Sequence, residues 1–337
     1  MIPCPPGKEV ATYYASWSQW TWPVSNLRAD RLTLVLYAFA RVSPNGEVEA
    51  PDPDFDKPAR ELSELKERYP QLKVVVSIGG DAYSVNFPAV AGDTDKRQTF
   101  AQTAINLAQK YKFDGIDVDW EFPMNVQDGK NFTLLLKECR KKLGQKGIIT
   151  VATTPNAQWY EYLDFSGMHD VVDFYNLMAY NFAGSWNKTA GHCSNLHNDP
   201  GSGATFVSVD RVVQNYKGKG VDVSKVLLGI PLYGVIFDGT DGPGKPYTSI
   251  PGENPSYKDL PKSGAKEEYS DRAGASWSYD ASKKEMVSYD SLEEIVEKGK
   301  YVKTHGLGGG FFWDAAKDKQ GKGNAVVIFA DALQREF

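Results

Sequence analysis

The chain has 337 residues, 41% of them hydrophobic and 24% charged, with a net charge of −5. That suits one large domain or two ordinary ones, carries no basic footprint for nucleic acid or an anionic membrane, and contains no run of about eighteen apolar residues to span a bilayer. Cys4, Cys139 and Cys193 form neither a disulfide framework nor a zinc spacing.

In chain order, eight apolar runs recur: "VATYYASW" (10–17), "RLTLVLYAFA" (31–40), "LKVVVSIGG" (72–80), "FDGIDVDWEF" (113–122), "GIITVATT" (147–154), "VVDFYNLMAY" (171–180), "KVLLGIPLYG" (225–234) and "LGGGFFW" (307–313). Helical periodicity follows most of them, over 57–69, 95–111, 129–144, 205–217, 290–304 and 324–335. The links after the first and fifth runs look irregular. Near-continuous Val/Ile/Leu runs mark strands buried on both faces, as in a parallel sheet covered by helices. The fold class expected is therefore α/β, a closed (β/α)8 TIM barrel filling residues 1–337 as one catalytic unit. The surplus over a plain barrel falls at 235–289, where turn signals dominate. There "ASWSYD" (275–280) and "EMVSYD" (285–290) alternate around a short turn, so a β-hairpin within a small inserted lid is expected.

The N-terminal "MIPCPPGKEV" lacks an apolar leader core. An extracellular protein with a trimmed leader is the favoured expectation, with a cytoplasmic one as the alternative. Two N-x-S/T triplets, at Asn131 and Asn187, are weak support for secretion.

The fourth run is unusual. Side chains alternate along a strand, so Asp117, Asp119 and Glu121 point one way and Ile116, Val118 and Trp120 the other. Taken alone, this pattern usually means a solvated acidic face. Inside a parallel barrel the same row looks inward and ends at the C-terminal mouth, where barrel active sites sit. Like charges stacked in a low-dielectric interior cannot all ionise, and a retained proton is what a general acid needs. Glu121, last on the strand and longest in reach, is the expected proton donor. Asp114 falls out of phase near the strand start.

The segment "DGIDVDWE" resembles the D-x-x-D-x-D-x-E signature of glycoside hydrolase family 18 chitinases, and the likeness is to the fungal type. "VVVSIGG", "YNLMAYNFAGSW", "TDGPGKPY", "YKDLP" and "GLGGGFFWDAAKDK" agree with it across nearly the whole chain. The resemblance implies hydrolysis of β-1,4 bonds between N-acetylglucosamine units by a substrate-assisted retaining route. By the same resemblance, Glu121 is the acid and then the base. Asp119 orients the acetamido group, Tyr180 binds its oxygen, Asp117 exchanges a proton or hydrogen bond with Asp119, and Trp313 is the floor under the reacting sugar. It further implies sugar contacts at Tyr14, Trp17, Tyr37, Phe39, Gly79, Gly80, Met178, Asn181, Tyr233 and Trp186. Chitin or chito-oligosaccharide is the implied partner, with no metal, no cofactor and a monomeric chain.

Three positions depart from the family pattern. Asn181 stands where Asp is frequent, Val235 where Arg is common, and Asp81 where an aromatic residue is frequent. Trp20, Trp22 and Tyr83 are further aromatic candidates near strand ends, although such rings more often pack in cores or loops. Two other readings stay open: an endo-β-N-acetylglucosaminidase on N-glycans, and a non-hydrolytic chitin-binding lectin or effector. Lesser motifs point elsewhere than function. "GTDGPGKP" has Pro where a P-loop needs a hydroxyl, and "PDPDFD" lacks the Gly and Glu of a calcium loop. "HCSNLH" matches no common zinc spacing.

Overall fold

A computed structural model describes residues 7–252 and 254–334 of the chain. Cys4 lies outside them, as do Glu253 within the insertion and residue 335 at the end of the last expected helix. Among the described residues, eight parallel strands close into a barrel: Glu9–Ala15, Leu34–Val42, Lys73–Gly79, Gly115–Asp119, Ile148–Thr153, Phe174–Leu177, Val226–Pro231 and Gly309–Trp313. Each pairs with the next, and the first also pairs with the eighth, Glu9 opposite Gly309. All eight apolar runs therefore coincide in large part with a barrel strand.

Period-two alternation separates two cores. Val10, Tyr14, Val35, Tyr37, Val74, Val76, Ile116 and Val118 face outward to the helices. Ala11, Tyr13, Leu34, Leu36, Val75, Leu227 and Phe311 fill the interior. Major helices cover the outside at Asp56–Arg68, Thr94–Lys110, Val126–Leu143, Val209–Gly218, Leu292–Thr304 and Ala325–Gln334. They begin at good caps: the Asp93 carboxylate accepts from the backbone of Asp95 and Lys96, and Asn125 accepts from Asp128. The irregular links contain only short helical turns, Ser16–Trp20 and Val24–Asn26 after the first strand, Ala157–Tyr160 and Phe165–Met168 after the fifth.

Between the seventh and eighth strands lies an antiparallel sheet of Val235–Asp238, Lys266–Ser270, Ala275–Asp280 and Glu285–Ser288. Its inner hairpin pairs Asp280 with Glu285 and Trp277 with Ser288. A buried charged cluster joins this sheet to the barrel. Lys298 is fully buried and meets the Asp290 carboxylate, to which the Ser194 hydroxyl also donates. Glu294 lies 3.9 Å from the same ammonium, with both carboxyl oxygens lacking a hydrogen-bond partner. Burial lifts the Glu294 carboxyl well above the usual range, so it keeps its proton, and Asp290 takes the Lys298 charge.

Removing one side of a buried ion pair leaves the other charge uncompensated. Lys298→Met is expected to lose about 3–5 kcal/mol of stability in urea unfolding. A loss below about 1 kcal/mol, the scale of an exposed pair, would show that the cluster does not hold the insertion in place.

Candidate active site

The acidic row occupies the interior as its alternation requires. Asp117 is fully buried and sits level in register with Ser77 on the third strand and Thr150 on the fifth. Both hydroxyls donate to its carboxylate at 2.6 Å. Tyr13 donates from the first strand at 3.0 Å and the Asn176 amide from the sixth at 3.1 Å. Burial pushes the Asp117 carboxyl upward and these four donors pull it back, so it is the member best suited to remain a carboxylate.

Asp119 differs. It is 3% exposed, and its Oδ1 is buried with no hydrogen-bond partner. Desolvation lifts its carboxyl well above the usual range, helped by the charges of Glu121, Asp117 and Asp81. Glu121, just past the strand end, is only partly buried. Desolvation, followed by the Asp81 charge, pushes its carboxyl up to about 7. Its backbone N–H donates to the Ser84 hydroxyl at 2.8 Å, and Ser84 also donates to the carbonyl oxygens of Gly80 and Asp119. That clamp fixes where the fourth strand delivers its last acid. Asp114 serves the strand start instead: it accepts from the Val74 backbone and pairs with Lys66 at 2.7 Å.

Above the row opens a cavity of about 740 Å³. Its walls include Asp119, Glu121, Tyr180, Trp313, Trp17, Phe39, Met178, Asn181, Tyr233 and Trp186, all named from sequence. Tyr83 also lines it. Trp17 and Trp186 are 58% and 67% exposed, so their faces are free. Trp313 stacks on Phe39 with centroids 5.7 Å apart and meets the Tyr13 ring edge-on at 5.3 Å. Tyr180 is buried beside Asp119 and Glu121, which together with desolvation hold its hydroxyl protonated. Asn181 adopts a left-handed backbone (φ 57°) and accepts from the Tyr233 hydroxyl at 2.6 Å. Tyr233, just before the inserted segment, ends the lining on that side.

Four expected contacts and two of the further aromatic candidates lie elsewhere. Tyr14 and Tyr37 have the outward parity of their strands: their hydroxyls donate to the carbonyls of Trp22 and Phe55, each at 2.7 Å, beneath the helices. The inward ring on the first strand is Tyr13. On the second strand the register shifts between Tyr37 and Ala40, which turns Phe39 into the cavity instead. Gly79 and Gly80 do not line the cavity either. A Cβ on Gly79 would fall 2.1 Å from the Asp119 carbonyl oxygen, and one on Gly80 would strike the Phe39 ring at 2.7 Å, so both serve close packing around the site. Trp22 is buried, and Trp20 is exposed away from the cavity with Lys57 near its ring.

Residues missed by sequence reasoning are Tyr13, Thr150 and Asn176, together with Phe122, Asn156 and Trp159 on the rim; Asp81, noted from sequence only as a departure from the family pattern, lies there too. Thr150 and Asn176 gave a signal, since each is a polar side chain inside an apolar run.

The arrangement holds a neutral acid at the mouth, a partnerless carboxyl oxygen behind it, a carboxylate at the floor and aromatic walls. It is suited to proton transfer and to stabilising a developing positive charge on a bound sugar. Comparisons agree. The family "Glycosyl hydrolases family 18" matches residues 9–318. "Chitinase 1" of Aphanocladium album is 35% identical over 94% of this chain and 83% of its own length. "Endochitinase 1" of Metarhizium robertsii is 35% identical over 96% and 84%. The solved structure of a GH18 chitinase from Cycas revoluta in complex with (GlcNAc)3 superposes with a TM-score of 0.86 at 25% identity, covering 96% of this chain and 99% of that one.

The raised Glu121 carboxyl has a stability consequence. Its folded value of about 7 exceeds the ordinary 4.5, so the folded state retains a proton that the unfolded chain releases. That advantage is full below the ordinary value and is lost as pH rises through the folded one. Glu121→Gln never ionises, so relative to wild type it should gain up to about 3 kcal/mol between about pH 4 and about pH 8. Urea unfolding at both pH values checks this; an equal difference at the two would contradict the buried-acid reading.

Proposed function

The chain belongs to glycosyl hydrolase family 18, and on that premise we propose that it is a chitinase, cleaving β-1,4 bonds between N-acetylglucosamine units with retention of anomeric configuration. The observation that carries this reading is the partnerless Asp119 oxygen directly behind an acid held protonated up to about 7.

In this reading the Glu121 carboxyl protonates the glycosidic oxygen while the substrate's own acetamido oxygen attacks the anomeric carbon. The ring so formed carries positive charge, and its N–H finds the vacant Asp119 acceptor. As charge develops, Asp119 is better ionised than neutral, and Asp117, the carboxylate next below it on the strand, is the neighbour able to share that proton. Tyr180, protonated and buried, donates to the acetamido oxygen and orients it. Glu121, now a carboxylate, takes a proton from water, which opens the ring and restores the acid. Trp313, propped by Tyr13 and Phe39, offers a rigid face beneath the reacting sugar. Water exclusion by these rings makes each electrostatic contact stronger than it would be in solution.

Chitin fits the cavity's character. The polymer is neutral, with apolar ring faces and polar edges, and the walls mix tryptophan faces with amides and hydroxyls. The named relatives are chitinases, which weighs for chitin over N-glycan. The presence of Glu121 weighs against a purely binding role.

Glu121→Gln on chitotetraose tests the proposal. Reducing-end release should fall by about 10²–10⁴-fold while oligosaccharide binding persists. Equal, negligible turnover in wild type and variant would make the protein a binder and overturn the reading.

The pH profile gives a second test. Glu121 must be protonated to act, so kcat/KM should decline as pH rises through about 7. A decline centred at the ordinary 4.5 would remove Glu121 from the role of acid.

A further inference from the structure

We propose that Asp81 selects the sugar on the leaving side of the cleaved bond, favouring a unit with a free, protonated amine, so that the natural substrate class includes partially deacetylated chitin. This inference rests on the hydrolysis proposed above.

The position of Asp81 carries the argument. It follows the third strand as Glu121 follows the fourth, and these strands pair directly, with Gly79 level with Asp119. The two acids thus share one rim of the cavity, and the Asp81 backbone N–H faces the Glu121 carboxyl. Tyr180 and Trp313 occupy walls built by the sixth and eighth strands. The acetamido-bearing unit must lie between Asp119 and Tyr180, because its carbonyl is the nucleophile. The proton donor addresses the oxygen that departs. The departing unit therefore lies on the Glu121 side, next to Asp81.

Charge and partners point the same way. The Asp81 side chain is exposed to the cavity and has no ion pair or hydrogen bond among the described residues. Among the described residues, the cavity lining contains three carboxyl groups, Asp81, Asp119 and Glu121, and no Lys, Arg or His. The nearby Lys317 is turned to Asp314 at 3.7 Å and lies over the Tyr233 ring. Independently, the buried and partnerless Asp119 oxygen shows that the cavity is built to receive a donor from a ligand. Asp119 meets a donor that the chemistry requires, whereas Asp81 faces a unit whose 2-substituent takes no part in bond making. An acetamido group there gives Asp81 no cation. An ammonium on the same carbon gives it an ion pair.

The test uses a randomly deacetylated chitosan, below the pKa of its amines. After limited digestion by the full chain, products are sequenced by mass spectrometry, and the sugar at each newly made non-reducing end is counted, since that sugar was the leaving unit. Wild type should enrich glucosamine there roughly two- to fivefold over Asp81→Asn, the range an exposed ion pair supplies. Added salt should shrink the enrichment. Asp81→Glu should retain it, and Asp81→Ala should lose it as Asp81→Asn does. Identical end compositions in wild type and Asp81→Asn would overturn the proposal. Failure of the underlying hydrolytic reading is seen separately, as absence of cleavage of fully acetylated chitotetraose by wild type.

Discussion

The site depends on a row of like charges placed in a medium that cannot hold them all. Asp117, Asp119 and Glu121 follow one another along and just past one strand with no cation among the described residues of the cavity lining and inner core to balance them. Coulomb repulsion at such spacing is severe where water is scarce. Two remedies remain, fixed dipoles and retained protons, and the strand uses them in graded fashion. At the floor Asp117 has four donors. In the middle Asp119 has an oxygen with none. At the mouth Glu121 borders solvent and is lifted only to about 7. Three chemically similar groups thus acquire three different proton affinities from depth, donors and one another's charge.

Only a closed barrel assembles this gradient. The donors to Asp117 come from the first, third, fifth and sixth strands, separated from it by up to 104 residues in sequence. Closure brings them to one level, and the pleat aims them inward. The same pleat sends Ile116, Val118 and Trp120 outward, where Trp120 lies between the rings of Phe87 and Phe132. A slip of one residue would exchange the two faces and press the carboxylates into the apolar outer core. Packing outside therefore enforces electrostatics inside. The outer core is large enough to carry a site whose ionisation is unfavourable by a few kcal/mol.

That coupling explains which parts of the molecule sequence alone reveals. Strand runs buried on both faces, helices with caps, and an acidic row in strict alternation all have local signals, so the barrel, the insertion hairpin and the line ending at Glu121 follow from neighbouring residues. Tyr14 and Tyr37 went astray because an aromatic residue in a fully apolar strand does not announce its face; adjacent Tyr13 and Tyr14 are equally plausible until the register against Asp117 is known. Phe39 reaches the cavity through a register shift that no periodicity foretells. Thr150 and Asn176 were visible as polar interruptions, but their meaning lay in a partner on another strand. Trp20 and Trp22 sit in an irregular link where no period applies.

Binding and chemistry in this cavity respond to different variables. Exposed tryptophan faces such as those of Trp17 and Trp186 suit apolar contact with sugar rings, which is indifferent to pH and weakly affected by salt. The carboxyls respond to both. Because a neutral polymer needs no charge for its capture, Asp117, Asp119 and Glu121 are released from any duty of attraction and can be set by burial, donors and one another. A site that bound its substrate through those same carboxylates would have to ionise them, and would lose the proton on which cleavage depends. Separation of the two tasks is what permits an acid at the mouth to stay protonated near neutrality while the groove around it remains able to bind.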